Sequence, residues 1–242
     1  MHYVCSDIHG QYDKFTALLK KIRFSDDDQM YILGDVIDRG PRPVDMLVKA
    51  LTTPNITLLL GNHELMMIDT FDTGDGNVWL SPSNGGKATY EQLKRMLPSV
   101  MQSIVELVRG CPLMLPSVKV GERRFCLVHS CPPHTLCELT PRLNNNECSR
   151  IDIERMVWDR DVCQHGIDPE DFLPEDTAEA YKDHIFIVGH TPTALADFGK
   201  ASDRHFNRII STGRIYNIDC GCAFGARLGC LRLEDLKTFY VH

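Results

Sequence analysis

The sequence has no apolar stretch long enough to cross a membrane, and its first residues lack the basic start and apolar run of a secretory signal. These absences predict a cytoplasmic protein that makes no membrane contact. An excess of basic residues is also missing, because 26 Lys and Arg stand against 33 Asp and Glu, for a formal net charge of -7. A broad surface for binding nucleic acid is therefore not expected.

No Cys-x-x-Cys pair occurs among the ten cysteines, so the commonest zinc-binding spacing is missing. Zinc binding by Cys131, Cys137 and Cys148 would be the more specific interpretation of the remaining cluster, but cysteine is often buried without a ligand. Disulfide frameworks are typical of small secreted chains, so we expect reduced thiols in these 242 residues.

Repeats and low-complexity tracts are absent as well. Hydrophobic residues make up 43% of the chain and charged residues 24%, which is ordinary for a globular protein. A chain of 242 residues can bury one sizeable core, so we expect a single domain over residues 1–242.

Strand and helix patterns alternate at the start of the chain. Residues 3–7 and 30–33 are predicted strands, and the apolar positions between them recur at helical spacing. A second helix is expected at 43–51, and the apolar run 56–60 follows it. This order predicts an α/β protein that begins with a parallel βαβαβ unit.

The remainder of the chain is less regular. Residues 69–87 lose periodicity and are rich in glycine, which predicts a loop and then a helical stretch within an insertion at about 69–110. The loop either borders a substrate groove or is a mobile surface segment. Further strands predict a second sheet, at 113–120, 124–128, 185–188, 215–218, 227–233 and 237–241.

Side chains that can bind metals follow five separate strand-like runs. They are Asp7, His9, Asp35, Asn62, His129 and His190. An isolated Asp-x-His pair is usually a capping aspartate beside a surface histidine. Ligands do gather, however, at the carboxyl ends of parallel strands, where these clusters would meet at one rim.

The mixture of histidine, carboxylate and amide ligands suits manganese, iron or zinc better than calcium. Cysteine is absent from the set, which argues against a structural zinc. Six ligands exceed what one catalytic metal usually takes from protein, so we expect two divalent ions that share a bridging carboxylate. The mixed set leaves the identity of the metal open, and manganese is our expectation.

Five ordered motifs resemble the phosphoprotein phosphatase family of calcineurin-like metallophosphoesterases. They span roughly residues 3–192 and are Asp7-Ile-His9-Gly10, Gly34-Asp-Val-Ile-Asp-Arg-Gly40, Gly61-Asn-His-Glu64, His129 and Gly189-His-Thr191. Trp79-Leu80 followed by Asn84-Gly85-Gly86 is similar to the bacterial and phage branch. The resemblance implies a central β-sandwich of two mixed sheets flanked by helices.

The same resemblance implies two metal sites joined by Asp35. Asp7, His9 and Asp35 would hold the first ion, while Asp35, Asn62, His129 and His190 would hold the second. A hydroxide that bridges the two ions would then attack the phosphate ester.

Catalytic roles also follow from the resemblance. It implies that His63 is the leaving-group acid, kept protonated by Asp38, and that Arg39 binds phosphate together with Asn62. Arg160 resembles a second phosphate-binding arginine of the bacterial branch. Alternatively, the Trp-Asp pair that precedes Arg160 marks a packed helix end with a local ion pair.

The expected activity is hydrolysis of phosphate monoesters by a serine/threonine protein phosphatase, with dual specificity as a variant, on phosphorylated proteins or peptides. Glu64 resembles the residue that the protein-phosphatase branch carries at this motif position, whereas dinucleoside tetraphosphate hydrolases typically carry aspartate there. Three departures leave the substrate range open: Ser6, Ser130 and the absence of a recognisable tyrosine loop near 217–221. The alternatives are therefore a symmetrical dinucleoside tetraphosphate hydrolase, another nucleotide phosphoesterase, or an inactive scaffold. Asp219 is interpreted as a turn former without a ligand role.

Overall fold

A computed structural model describes residues 1–136, 140–143, 148–198 and 207–242. Within these ranges two five-stranded sheets are formed. The first sheet contains β1 (His2–Cys5), β2 (Gln29–Ile32), β3 (Ile56–Leu58), β9 (Leu228–Arg232) and β10 (Lys237–Val241). Its strand order is β10-β9-β1-β2-β3, with β1, β2 and β3 parallel and β9 and β10 antiparallel to their neighbours.

The second sheet is also mixed. It contains β4 (Met114–Val120), β5 (Arg123–Val128), β6 (His184–Val188), β7 (Ile210–Ser211) and β8 (Ile215–Asn217). The order is β4-β5-β6-β8-β7, in which β5, β6 and β8 run parallel and the outer strands β4 and β7 are antiparallel. The predicted strands are thus confirmed. The exception is β7, which was not predicted because two residues are too few to show the alternation of apolar and polar side chains.

Helices flank the two sheets. They are α1 (Tyr12–Ile22), α2 (Pro43–Thr52), α3 (Asn62–Thr73), α4 (Lys87–Leu93), α5 (Pro98–Arg109), α6 (Arg150–Trp158) and α7 (Glu175–Tyr181). Phe15, Leu18 and Ile22 form the buried face of α1, at the three- and four-residue spacing that predicted this helix. The N-terminal βαβαβ unit is therefore confirmed. In the described part of the chain, no helix has the length and apolar character needed to span a bilayer.

One prediction about the insertion is wrong for its first five residues. Residues 69–73 are helical rather than part of a loop, because α3 continues to Thr73. The helix ends at Gly74, whose φ of 77° lies in the left-handed region that glycine adopts without strain. The single domain with an insertion at 69–110 stays a prediction.

The core is divided into layers by the alternation of side chains along each strand. Val4 and Leu231 of the first sheet belong to one buried cluster with Phe125 of the second, so this cluster lies between the sheets. Cys5, the neighbour of Val4, faces the opposite way and joins a larger cluster with Phe15 of α1. A sandwich with outer helices results, and it places the carboxyl ends of β1, β2, β3, β5 and β6 near one another.

The inter-sheet layer gives a stability prediction. Phe125 is 0% exposed, so Phe125→Ala should lower the free energy of unfolding by about 3–5 kcal/mol through lost packing and a residual cavity. The matched control is Phe224→Ala, because Phe224 is 69% exposed and should change stability by less than about 0.5 kcal/mol. Urea unfolding measures both, and equal effects would contradict a packed layer between the sheets.

Candidate metal centre

The predicted metal ligands lie together at the strand ends. All six are buried, with between 0% and 9% of each residue exposed: Asp7, His9, Asp35, Asn62, His129 and His190. They follow β1, β2, β5 and β6, or begin α3 directly after β3. Buried charged and polar side chains need partners, so their convergence requires an explanation.

The backbone of these loops is unusual. Among the described residues, nine that are not glycine have a positive φ, and six of them are predicted site residues: Asp7, His9, Asp35, Asp38, Arg39 and His190. Such conformations cost roughly 1–3 kcal/mol each, and they persist where the surrounding structure enforces them. This concentration of strain marks the site independently of its side-chain chemistry.

The loops after β2 and β3 pack directly on each other. Gly34 has a φ of 86°, and a Cβ atom there would lie only 2.4 Å from the backbone nitrogen of Gly61. Glu64 joins the two loops, because its Oε2 accepts from the backbone N–H groups of Asp35 at 2.8 Å and Gly61 at 3.0 Å. Its Oε1 accepts from Val36 N–H at 2.9 Å. Glu64, which resembles the residue of the protein-phosphatase branch at this position, therefore holds the Asp35 loop in place.

Asp35 lies at the centre of the cluster. Its Oδ1 accepts from the backbone N–H of His63 at 3.0 Å. Its Oδ2 faces three imidazole Nε2 atoms, at 3.5 Å for His9, 3.7 Å for His129 and 3.9 Å for His63. Two groups suited to a metal ion therefore share this residue: His9, Asp35 and His63, and Asp35, His129 and His190. The bridging role of Asp35 stays a prediction.

The tautomers of two histidines are set by backbone carbonyls. Nδ1–H of His9 donates to the carbonyl of Ile37 at 2.9 Å, and Nδ1–H of His129 donates to that of Leu33 at 2.5 Å. In the neutral ring each Nε2 then directs a lone pair into the cluster. Nε2 of His129 lies 3.1 Å from Oδ1 of Asn62, so two electron-rich atoms face each other where a cation would attract both.

Electrostatics favour the same interpretation. Burial, with repulsion from His63 and Arg39, holds the pKa of His9 well below its usual value. Burial, with repulsion from His129 and Arg160, does the same to the pKa of His190. Burial and the neighbouring Asp7 and Glu64 raise the pKa of Asp35 well above its usual range. Neutral imidazoles around crowded carboxylates fit divalent cations, whose charge would offset the carboxylate repulsion.

The contacts of Asp7 and Asp219 match the predictions only in part. Oδ2 of Asp7 accepts from Ser6 Oγ at 2.5 Å and from the backbone N–H of His190 at 3.0 Å, and Asp7 is in neither ligand group. Its assignment to the first metal stays a prediction. Asp219 does form the expected turn, since Oδ1 accepts from Gly221 N–H at 2.8 Å. However, Asp219 is buried, and burial with repulsion from Asp7 raises its pKa well above the usual range.

His63 and Asp38 form a buried pair. Nδ1 of His63 lies 2.6 Å from Oδ2 of Asp38. Burial raises the pKa of Asp38 to about 7, against hydrogen bonds from Thr89 and Trp79 that lower it. Burial, with repulsion from Arg39 and His129, lowers the pKa of His63 well below its usual value, which opposes the expectation of a stably protonated ring. The predicted orienting contact is present.

Sequence reasoning missed two partners of Asp38. Nε1–H of Trp79 donates to Oδ2 of Asp38 at 2.8 Å, and Oγ1 of Thr89 donates to Oδ1 at 2.5 Å. Both belong to the region predicted as an insertion, so its glycine-rich part contacts the candidate site. One signal was available, because one of only two tryptophans in the chain lies in this polar, glycine-rich segment.

Two exposed arginines flank the buried cluster. Arg39 donates from Nη1 to Nε2 of His9 at 2.9 Å, so the guanidinium lies on one ligand group. Arg160 donates from Nη1 to Oγ1 of Thr191 at 2.5 Å, beside His190. The helix end and local ion pair that the alternative interpretation expected before Arg160 are present, since α6 ends at Trp158 and Asp159 forms an ion pair with Arg155. Phosphate binding by either arginine stays a prediction.

Comparisons with known proteins agree with this geometry. Serine/threonine-protein phosphatase 2 of Escherichia coli (strain K12) is 42% identical over 80 residues, which cover 33% of this chain and 36% of that protein. The match therefore spans little more than a third of the phosphatase. The symmetrical bis(5'-nucleosyl)-tetraphosphatase of Salmonella newport (strain SL254) is 40% identical over an alignment of 267 residues that covers 98% of this chain and 93% of that protein.

Solved structures share the fold. A cold-active protein tyrosine phosphatase superposes with a TM-score of 0.63 at 17% identity, covering 100% of this chain and 78% of that one. A metallophosphoesterase from Sphaerobacter thermophilus gives a TM-score of 0.55 at 17% identity, covering 99% and 86%. The family model described as Calcineurin-like phosphoesterase matches residues 3–220. The chain therefore belongs to the calcineurin-like phosphoesterase family, as its ordered motifs predicted.

Proposed function

We propose that this metallophosphoesterase hydrolyses phosphate monoesters of serine and threonine side chains in proteins or peptides. The observation that carries the proposal is the 2.6 Å contact between Nδ1 of His63 and Oδ2 of Asp38, at the edge of the ligand cluster. The alkoxide of serine or threonine is a poor leaving group, so a positioned proton donor contributes about 10²- to 10⁴-fold to the rate. A nucleoside polyphosphate leaving group needs such help less.

His63 would give its proton from Nε2. Its Nδ1 is engaged by Asp38, while Nε2 faces the cluster at 3.9 Å from Oδ2 of Asp35. Nε2 is therefore the ring atom that would face a phosphate bound at the cluster. Asp38 would stabilise the protonated ring before the transfer, against the burial that lowers the His63 pKa.

Six residues would hold two divalent cations, with manganese proposed and iron or zinc as alternatives: Asp7, His9, Asp35, Asn62, His129 and His190. When bound, such a pair supplies charge that activates water and neutralises the phosphate. Asp35 is suited to lie between the ions because its Oδ2 faces histidines of both groups.

Arg39 and Arg160 would orient the substrate phosphate. Both are exposed at the rim, and each contacts the surroundings of a different ligand group. Guanidinium groups offer paired N–H donors that match phosphate oxygens and keep their charge at any physiological pH. Asn62, at the start of α3, would contribute an amide beside them.

A second candidate is hydrolysis of dinucleoside tetraphosphates. It is favoured by the Salmonella newport relative, whose 40% identity extends over 98% of this chain, whereas the E. coli phosphatase matches only 33% of it. An inactive scaffold is the least favoured reading, because all the predicted ligand positions carry residues that can bind a metal.

Turnover on two substrate classes tests the proposal. With Mn²⁺ supplied, we expect kcat/KM on phosphoserine and phosphothreonine peptides to exceed that on diadenosine tetraphosphate by at least about tenfold, a difference of roughly 1.4 kcal/mol. Release of inorganic phosphate and of nucleotides, followed by chromatography, measures both. A preference for the dinucleotide would contradict the proposed activity on phosphoproteins and favour the second candidate. Inactivity with Mn²⁺, Fe²⁺ and Zn²⁺ would support an inactive scaffold.

The proton-donor role predicts a dependence on the leaving group. His63→Asn should lower kcat by about 10²-fold or more on a phosphoserine peptide, and by far less on p-nitrophenyl phosphate, whose phenolate leaves without a proton. Steady-state kinetics on both substrates measures the contrast. His2→Asn is the matched control, because His2 pairs with Glu234 at the start of β1 and should leave both rates unchanged. Equal losses on the two substrates would eliminate the acid role.

A further inference from the structure

Both carboxylate oxygens of Asp38 are held by one segment of the chain. Residues 76–93, here called the support segment, contain Trp79 and helix α4. Trp79 donates to Oδ2, the oxygen that also contacts His63, and Thr89 donates to Oδ1. The sequence separations are 41 and 51 residues, so these contacts are tertiary rather than local.

Thr89 contacts Asp38 twice. Its Oγ1 donates to Oδ1 at 2.5 Å and accepts from the backbone N–H of Asp38 at 3.0 Å. The hydroxyl therefore ties the side chain of Asp38 to its own backbone, and the left-handed φ of 69° at Asp38 is held in the same contact. Thr89 is fully buried, so water does not compete for these bonds.

Trp79 is itself fixed by packing. Its ring centroid lies 6.1 Å from those of Phe71 and Tyr90, and the indole is fully buried. Gly86 packs against it so closely that a Cβ atom would lie 2.5 Å from Nε1. The indole N–H therefore has little freedom to turn away from Asp38.

An aspartate alone does not define the direction of its hydrogen bonds. Its χ2 torsion joins sp³ and sp² atoms and has a broad, shallow preference, so the carboxylate plane rotates readily unless hydrogen bonds hold it. Asp38 receives such bonds on both oxygens from the support segment. His63 then meets a carboxylate of one orientation, which directs the imidazole plane and its Nε2 atom.

We propose that Trp79 and Thr89 are positioning residues for the proton donor, since they hold the Asp38 carboxylate in the orientation that aims Nε2 of His63 at the leaving-group oxygen. This inference rests on the proposed function, in which His63 is the acid. It assigns the support segment a part in catalysis that acts through Asp38 and His63.

A purely structural role predicts different kinetics. If the two hydrogen bonds only satisfied a buried carboxylate, their loss would destabilise the fold and would lower turnover on every substrate alike. A positioning role lowers kcat on substrates that need a proton and leaves KM and the turnover of activated aryl esters nearly unchanged. The leaving group therefore separates the two roles.

The experiment compares Thr89→Val with Thr89→Ser in the full chain loaded with Mn²⁺. Valine keeps the shape and removes the hydroxyl, whereas serine keeps the hydroxyl. We expect Thr89→Val to lower kcat on a phosphoserine peptide by about 10- to 100-fold, with less than about a threefold change on p-nitrophenyl phosphate and in either KM. Thr89→Ser should restore at least half of the loss in log kcat on the peptide. Equal losses on both substrates, or no rescue by serine, would overturn the proposal.

Trp79→Phe provides a second test if Thr89→Val does not fold. It removes only the N–H donor and a part of the ring, and it should reproduce the loss that is specific to the peptide. The His63→Asn variant distinguishes the two levels of inference. If His63→Asn shows the leaving-group dependence and neither support variant does, the positioning role is wrong while the acid role stands. If His63→Asn lacks that dependence, the proposed acid role fails and the positioning role fails with it.

Discussion

The structure depends on the burial of one carboxylate between two groups of imidazoles. Asp35 is almost fully buried, and its Oδ2 faces the Nε2 atoms of His9, His63 and His129 within 3.9 Å. Burying a charge is costly unless other charges or hydrogen bonds compensate it, and the nearby Asp7 raises the pKa of Asp35 further after burial itself. Such an arrangement is stable where cations neutralise it, so the cluster fits a candidate cation site better than an ordinary core.

The fold maintains that arrangement at several levels. Parallel strands deliver the ligands to one edge, and left-handed backbone conformations at Asp7, His9 and Asp35 turn the side chains inward. Glu64 joins the loops after β2 and β3, and the support segment holds the Asp38 carboxylate. Strain in the loops is thus offset by hydrogen bonds from elements distant in sequence. This explains why the geometry persists although each loop alone would relax.

The alternation of strands and helices and the six ligand-type residues could be read from the sequence, because periodicity and strand-end position are local properties. The contacts of Trp79 and Thr89 with Asp38 could not, since they join residues 41 and 51 positions apart through packing that no pattern encodes. The helical conformation of residues 69–73 was missed for a related reason. Glycine at position 74 ends α3, whereas the loss of apolar periodicity had predicted a loop from residue 69 onward. The depressed pKa of His63 depends on burial, which composition does not reveal.

The central proposal is that the cluster binds two divalent cations with Asp35 between them. Anomalous X-ray diffraction from crystals of the Mn²⁺-loaded protein tests it most directly, because the peaks locate each ion without reference to activity. The expected result is two peaks about 3.5–4 Å apart, with Asp35 between them and the histidines of each group around one peak. A single peak, or two peaks without Asp35 as a common ligand, would contradict the claim.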